Sequence, residues 1–331
     1  MSVEAPVRNT TMRAIVHRRF GSLELQEIDR PQVGDDDILV RVHAASLNAG
    51  DWYAMAGRPY VGRVAMGLRR PKGERFGADL AGVVEAVGRN VTRLRPGDEV
   101  FGARTGACAE YVCVPQDRGL VAKPAGVSFE QAAAVPIAAL TALQGLRDKG
   151  GIQPGQKVLI NGASGGVGTF AVQLAKWFGA EVTGVCSTRN VDTARSLGAD
   201  HVVDYTREDF TQSGERYDLM LDIAGSRPWR ELRRVLAPDA TCVLIGGSKA
   251  NRLLGPLSHV VKVRLASLRA RQKVVFFIAK MPWEDLTLLA ELLEAGTLTP
   301  VIERRYELSQ VREALAYLGE GHAQGKLVIT I

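Results

Sequence analysis

The chain has 331 residues, 46% of them apolar and 24% charged, with a net charge of +6 at neutral pH. That length supports a sizeable core in about two domains, and so mild an excess of charge suits an anionic small ligand but does not indicate a nucleic-acid partner. Cys108, Cys113, Cys186 and Cys242 have neither zinc-ribbon nor C-x-x-C spacing, the segment before Met12 lacks the apolar heart of a signal peptide, and no apolar run is long enough to cross a bilayer, so a reduced, cytoplasmic protein without integral membrane association is expected.

Residues 13–135 read as short strands. AIVHRRF, DILVRVHAASLN, DLAGVVEAVG, DEVFGA and EYVCV are rich in Val, Ala and aromatics, and Pro31, Gly34, Pro96-Gly97 and Gly106 punctuate them. This pattern predicts a small β-barrel or sandwich. After Pro136 the period changes. KVLING is a short apolar strand, and Val167, Phe170, Ala171, Leu174, Ala175 and Phe178 then fall on one stripe of a helix. Next come strand EVTGVC, helix VDTARSLGA, strands HVVDY and YDLMLDIAG, a helix near 229–236, and strand TCVLIGG, with VVFFIA as a candidate last strand. Alternating strands and helices predict a parallel sheet covered on both faces. Residues 283–295 read as helix. The closing GKLVITI has no place in the α/β series and is expected to return to the first domain.

The segment NGASGGVG (161–168) sits at a strand end and opens the periodic helix. Ala163, Gly165 and Gly168 stand at the G-x-G-x-x-G spacing, with Ala in the first slot. The middle glycine lets backbone approach a pyrophosphate, and the last lets helix pack on strand. The helix start, with Ser164, Gly166 and Val167, then offers N–H groups to phosphate. An NAD site carries an acid at the end of the second strand, on the ribose 2′-hydroxyl. Here that position is Cys186, followed by Ser187, Thr188 and Arg189. Two hydroxyls and a guanidinium suit a 2′-phosphate, so NADPH is the expected cofactor. Tyr205, past the third strand, either lies near that phosphate or packs.

With SLNAGDWY (46–53), FGADLAGVVEAVG (76–88), RPGDEVFG (95–102), VPIAALTALQGL (135–146), NGASGGVG and GAEVTGV (179–185), the chain resembles a medium-chain dehydrogenase/reductase of the zinc-free quinone oxidoreductase type, from about Met12 to Ile331. The resemblance implies an α/β fold: a Rossmann doubly wound parallel sheet (136–279) inserted into a GroES-like β-rich catalytic domain (1–135 plus 280–331). It also implies a homodimer through the last Rossmann strand. The positions that carry catalytic zinc ligands in metal-dependent relatives read Asn48, Ala78 and Ile137, none of which ligates zinc. Cys108 and Cys113 stand alone where a structural zinc lobe needs four cysteines. No metal is expected.

Without a Lewis acid, the protein must polarise its acceptor by hydrogen bonds and position. A quinone or an α,β-unsaturated carbonyl accepts hydride more readily than a plain ketone. The resemblance makes Asn48 a pocket amide near nicotinamide or substrate oxygen, and Tyr53 an aromatic pocket residue. Tyr60 lies one residue from the tyrosine that enoyl-thioester reductases use as proton donor, and a phenol of pKa about 10 can serve that role. Asp51 and Asp79 are read as structural hydrogen-bonding groups. Thr141 matches a cofactor-contacting threonine. Gly246 and Gly247 would admit backbone to the nicotinamide ribose, and residues 276–279, with Phe277 and Ile278, would line the carboxamide. Lys326 either reaches cofactor or substrate or is a surface lysine. The basic stretch 61–77 reads as a lid for an anionic substrate or a solvated loop, and 252–273 as a helix covering the sheet. Two further functions fit the same residues: a 2-enoyl thioester reductase, and a non-catalytic NADPH-binding sensor.

Overall fold

The computed structural model describes residues 10–247, 251 and 253–331. It opens with a hairpin of β1 (Thr11–Val16) and β2 (Glu24–Asp29). Then follow β3 (Asp37–Leu47), α1 (Ala49–Ala56), α2 (Arg63–Met66), β4 (Asp79–Val87), β5 (Glu99–Ala103), β6 (Tyr111–Pro115) and β7 (Leu120–Ala122). Helices α3 (Phe129–Ala133) and α4 (Pro136–Gln144) lead out of this β-rich part, α4 with a proline in its first turn, where the missing N–H costs nothing.

Strands and helices then alternate: β8 (Lys157–Asn161), α5 (Gly166–Trp177), β9 (Glu181–Cys186), α6 (Val191–Ser196), β10 (His201–Asp204), β11 (Tyr217–Asp222), α7 (Trp229–Leu232), β12 (Leu236–Leu244), α8 (Leu257–Ala266) and β13 (Lys273–Phe276). Among the described residues the strands form one parallel sheet in the order β10-β9-β8-β11-β12-β13. The winding reverses between β8 and β11. In such sheets ligands bind at this reversal, outside the carboxyl ends of the strands.

The chain ends with α9 (Trp283–Glu294), β14 (Ile302–Glu307), α10 (Val311–Glu320) and β15 (Lys326–Thr330). β15 pairs antiparallel with β3 and parallel with β14, so the C-terminal strand does return to the first sheet, whose order is β14-β15-β3-β4-β5-β7 with β6 also on β3. This is a GroES-like β-rich unit with a Rossmann sheet inserted in it. One core cluster joins Ala44, Ala81 and Phe101 of the first sheet to Leu140 and Leu143 of α4 and Phe170 and Leu174 of α5. The cleft between the units therefore has walls anchored in common packing.

The structure departs from the sequence reading in its quiet elements. β2 (ELQEID) and β14 (IERRYE) are polar and largely exposed, so no apolar run marks them. β12 begins at Leu236, where the expected helix near 229–236 ends in a single tight turn after Leu232. α6 stops at Ser196, three residues short of the expected end.

Candidate active site

A cleft of about 1110 Å³ opens at the carboxyl ends of β8, β9 and β11 and is closed on its far side by the segment after α10. The glycine loop forms its floor. The left-handed residue is Gly162 (φ 97°), one position before Ala163, which is why alanine is tolerated in the first slot of the motif. Ala163 is wholly buried against β9, so only its backbone faces a ligand. A Cβ on Gly165 would find nothing nearer than Gly162 O at 3.7 Å, which leaves this side of the loop open to a ligand. A Cβ on Gly168 would lie 2.0 Å from the same oxygen, so helix-to-strand packing demands glycine there. Gly166 starts α5, whose first N–H groups point towards the loop's open side as an anion site.

At the end of the cleft beyond β9 stand Ser187, Thr188 and Arg189 with Asn190. Asn190, which the sequence reading did not single out, is buried, and its Nδ2 donates to Ser164 Oγ at 3.0 Å and Ser187 Oγ at 3.1 Å. Both hydroxyls accept from it, so their protons are left for an anion. Thr188 is placed differently from expectation: its hydroxyl donates to Asp204 Oδ2 at 2.6 Å and is not free for a phosphate. That bond, with those from Thr206, holds the Asp204 carboxyl below its usual pKa. Arg189 donates from Nη2 to His322 O, and Arg304 lines the cleft from β14 with its guanidinium 3.9 Å from the Tyr317 ring centroid. Arg304 and Tyr317 come from more than a hundred positions away in the chain, beyond the reach of any local motif. Tyr205 lines the same end, half exposed.

Apart from the residues that line this cleft, a polar cluster is sealed in the first sheet. Asp79 on β4 has no exposed surface and accepts hydrogen bonds from Asn48 Nδ2 (2.8 Å), Ser46 Oγ (3.1 Å), Ile137 N (3.1 Å) and Lys326 Nζ (3.4 Å). Lys326 Nζ also donates to Asn48 Oδ1 at 2.6 Å. Asn48 caps α1, its N–H donating to Asp51 Oδ2 at 2.7 Å. Burial raises the Asp79 carboxyl against the pull of Lys326, and it pushes Asp51 up to about 7. Burial lowers the Lys326 ammonium against the pull of Asp79. Lys326 is 2% exposed, which corrects the surface-lysine alternative: β15 lies between β3 and β14 and aims it inward.

Tyr53, on α1, is partly buried against Trp52, and burial pushes its phenol up to about 12. Tyr60 lies in a single turn, 42% exposed, with the Arg63 guanidinium 4.9 Å from its ring centroid. Thr141 spends its hydroxyl proton on Ile137 O (2.7 Å). At Gly246 a Cβ would meet Ile223 O at 2.0 Å, so this glycine serves chain-to-chain packing at the end of β11, and Gly247 likewise lies close to Pro256. Phe277 packs on the core while Ile278 is 82% exposed, so residues 276–279 do not form one wall; the chain leaves β13 at Phe276 and turns Ile278 outward.

The two halves match family models described as "Alcohol dehydrogenase GroES-like domain" (residues 34–126) and "Zinc-binding dehydrogenase" (residues 197–329). The chain is 34% identical to the NAD(P)H oxidoreductase RTN4IP1, mitochondrial, of Mus musculus, over 98% of its own length and 90% of the relative's. The chain belongs to the medium-chain dehydrogenase/reductase superfamily. It is 32% identical to quinone-oxidoreductase QR1, chloroplastic, of Triphysaria versicolor, covering 96% of this chain and 98% of that one. The solved quinone oxidoreductase of Coxiella burnetii superposes with a TM-score of 0.84 at 29% identity, covering 97% and 99% of the two chains. This superfamily member is thus an oxidoreductase with a nicotinamide cofactor, and the open, N–H-lined glycine loop fits one. The cytoplasmic expectation is overturned: relatives at this level of identity carry mitochondrial or chloroplastic names.

The zinc in one family description does not fit these residues. The Asn48 amide oxygen is taken by Lys326 and one of its two Nδ2–H donors by Asp79, Ile137 offers only its backbone N–H, to Asp79, and an ammonium lies 2.6 Å from Asn48 Oδ1. A divalent cation would meet a positive charge where it needs thiolate, imidazole or carboxylate. Among the described residues no group of three or more His, Cys, Asp or Glu is arranged to hold a metal.

Proposed function

We propose that the protein is an NADPH-dependent reductase of quinones or α,β-unsaturated carbonyl compounds that works without a metal ion. The observation that carries this reading is the lysine–amide–carboxylate cluster at the zinc-ligand positions, whose Lys326 directly follows Gly325, the residue bridged to Gly165 of the glycine loop. Quinone oxidoreductases among the relatives and solved structures support the acceptor class.

The nicotinamide, when bound, supplies hydride. The chain's part is to hold and to polarise. The glycine loop and the α5 N-terminus take the pyrophosphate. Ser164 and Ser187, turned outward by Asn190, and Arg189 take the 2′-phosphate, where no acid at the end of β9 opposes it. Asn48 hydrogen-bonds the acceptor's oxygen. Tyr53, kept protonated by its burial, donates a hydrogen bond beside it, and the exposed Tyr60 or water supplies the proton. The edge strand β13 is the dimer edge in this reading.

A second reading, a 2-enoyl thioester reductase, draws on one feature: Tyr60 stands in a stretch from Trp52 to Gly73 that holds Arg58, Arg63, Arg69, Arg70 and Lys72 and no acid, suited to an anionic carrier. Oxidation of NADPH and NADH with 1,4-benzoquinone, a simple enone and an enoyl-CoA in parallel tests both. Turnover of quinone or enone, faster with NADPH, is expected. Preference for the enoyl-CoA selects the second reading. Tight NADPH binding without turnover marks a sensor.

A further inference from the structure

We propose that Lys326 is the resident cation of this site: its ammonium stands where metal-dependent relatives hold zinc, and it positions Asn48 so that the amide presents an N–H to the acceptor. The inference rests on the reductase reading above and names a residue that reading leaves without a role.

The three zinc-ligand positions all converge on one buried pair. Asn48 touches both of its members, bonding Asp79 through Nδ2 and Lys326 through Oδ1. Ala78 immediately precedes Asp79. Ile137 donates its N–H to Asp79 Oδ1. The place is filled by an internal charge.

The chemistry of the partners fixes which way the amide faces. A lysine ammonium has donors only, so Asn48 must turn its oxygen to Nζ, and its NH2 group then faces Asp79. One Nδ2–H is spent on Asp79 Oδ2, and the other remains for an acceptor oxygen. An amide whose carbonyl is held by an ammonium is polarised along its length, and its N–H becomes a stronger donor. In this way Lys326 passes part of its charge to the reacting oxygen without touching it. It is a positioning residue, and Asn48 is the group that makes contact.

Backbone contacts place the charge with reference to the cofactor loop. Gly325 N donates to Ser164 O at 2.8 Å, and Gly325 bridges Gly165. The Lys326 stem then runs past Gly166, where a Cβ would lie 3.1 Å from Lys326 Cδ. The residue that meets the pyrophosphate loop through its neighbour is therefore the one that ends on Asn48. A buried ion pair contributes little to stability against an apolar pair of similar volume. Its retention here is accounted for by what it does to the amide.

The test uses Lys326→Met, Lys326→Arg, Asn48→Ala, the double Lys326→Met/Asn48→Ala, and Lys326→Met/Asp79→Asn, which removes both buried charges and guards against misfolding of the single variant. NADPH affinity is read by fluorescence titration, kcat and KM with 1,4-benzoquinone, and the Asn48 side-chain amide by NMR with 15N-asparagine. Expected are a kcat loss of about a hundredfold in Lys326→Met, a similar loss in Asn48→Ala and no further loss in their double, partial recovery with Arg, NADPH affinity within about threefold of wild type, and a shifted, faster-exchanging Asn48 amide. The charge-free double should keep its fold and stay slow. Wild-type kcat in either folded Lys326→Met variant, additive losses with Asn48→Ala, or an unmoved Asn48 amide would overturn the proposal. Large loss of NADPH affinity with intact kcat would overturn it too, making Lys326 a phosphate ligand. Should wild type reduce none of the acceptors, the reductase reading fails on its own, and the amide signal still decides whether Lys326 orders Asn48.

Discussion

Arg189 and His322 are 133 residues apart in the chain, yet the guanidinium of the first donates to the main-chain oxygen of the second across the mouth of the cleft. The turn after β9 and the loop before β15 are thereby clasped together over this end of the cleft. If the remaining N–H groups of Arg189 meet a 2′-phosphate, Arg189→Ala should raise the KM for NADPH by about tenfold or more, the worth of one charge-assisted hydrogen bond, and leave that for NADH within a factor of about two. Ser187→Asp should go further and reverse the preference, since a carboxylate there repels phosphate and accepts from a ribose hydroxyl. Steady-state kinetics with both cofactors decides the matter; equal losses for the two would place Arg189 in the clasp alone.

Two glycines of one motif should fail in different ways. At Gly165 the space beyond Cα is open, and the backbone is extended (φ −80°, ψ 174°), so Gly165→Val should fold with little change in melting temperature but bind dinucleotide at least tenfold more weakly. At Gly168 a methyl group would overlap Gly162 O, and Gly168→Ala should cost roughly 1–3 kcal/mol of stability. Thermal melts beside cofactor titrations separate the two effects. Loss of fold at Gly165, or an unperturbed melt for Gly168→Ala, would contradict the assignment.

Much of this was legible because apolar periodicity and glycine spacing are local signals. The α5 stripe is read off Phe170, Ala171, Leu174 and Ala175, and all four are fully buried. The return of β15 followed from its having no partner helix. What could not be read is what the fold brings together from afar. Nothing near GKLVITI says that its lysine ends on an asparagine 278 positions earlier. Nothing near Thr188 says that Asp204 claims its hydroxyl. Polar strands such as β2 and β14 were invisible because they bury too little to leave a pattern.

The Asp51 carboxyl gives a pH signature. Its folded pKa of about 7 lies above the unfolded value of 3.8, because burial disfavours the anion and Asp79 adds repulsion, against the Asn48 hydrogen bonds and Lys326. A raised pKa means that the folded state holds its proton more tightly. The group's contribution is thus fully present below about pH 4 and is lost as pH rises through 7. The full span is at most about 4 kcal/mol. Melts of wild type and Asp51→Asn between pH 4 and 8 should therefore converge and then cross as pH rises, the variant being worse in acid, where it lacks a cap worth about 1 kcal/mol, and better near pH 8, where wild type has lost the larger contribution. A difference that stays flat across this window would show that Asp51 is ionised throughout in the folded protein.

Tyr53 separates hydrogen bonding from proton donation. Its phenol is pushed up to about 12 by partial burial against its surroundings on α1, so it remains protonated throughout the range in which the protein can be assayed. Such a group can hold an acceptor's oxygen, but its titration cannot shape the rate. Tyr53→Phe should lower kcat by about tenfold, the worth of one neutral hydrogen bond, and by the same factor at every pH from 6 to 10. The wild-type profile should then have no falling limb in that range that vanishes in Tyr53→Phe. If such a limb appears with an apparent pKa below 10, the phenol is being ionised during turnover, and Tyr53 is then an acid in the reaction and not a fixed donor.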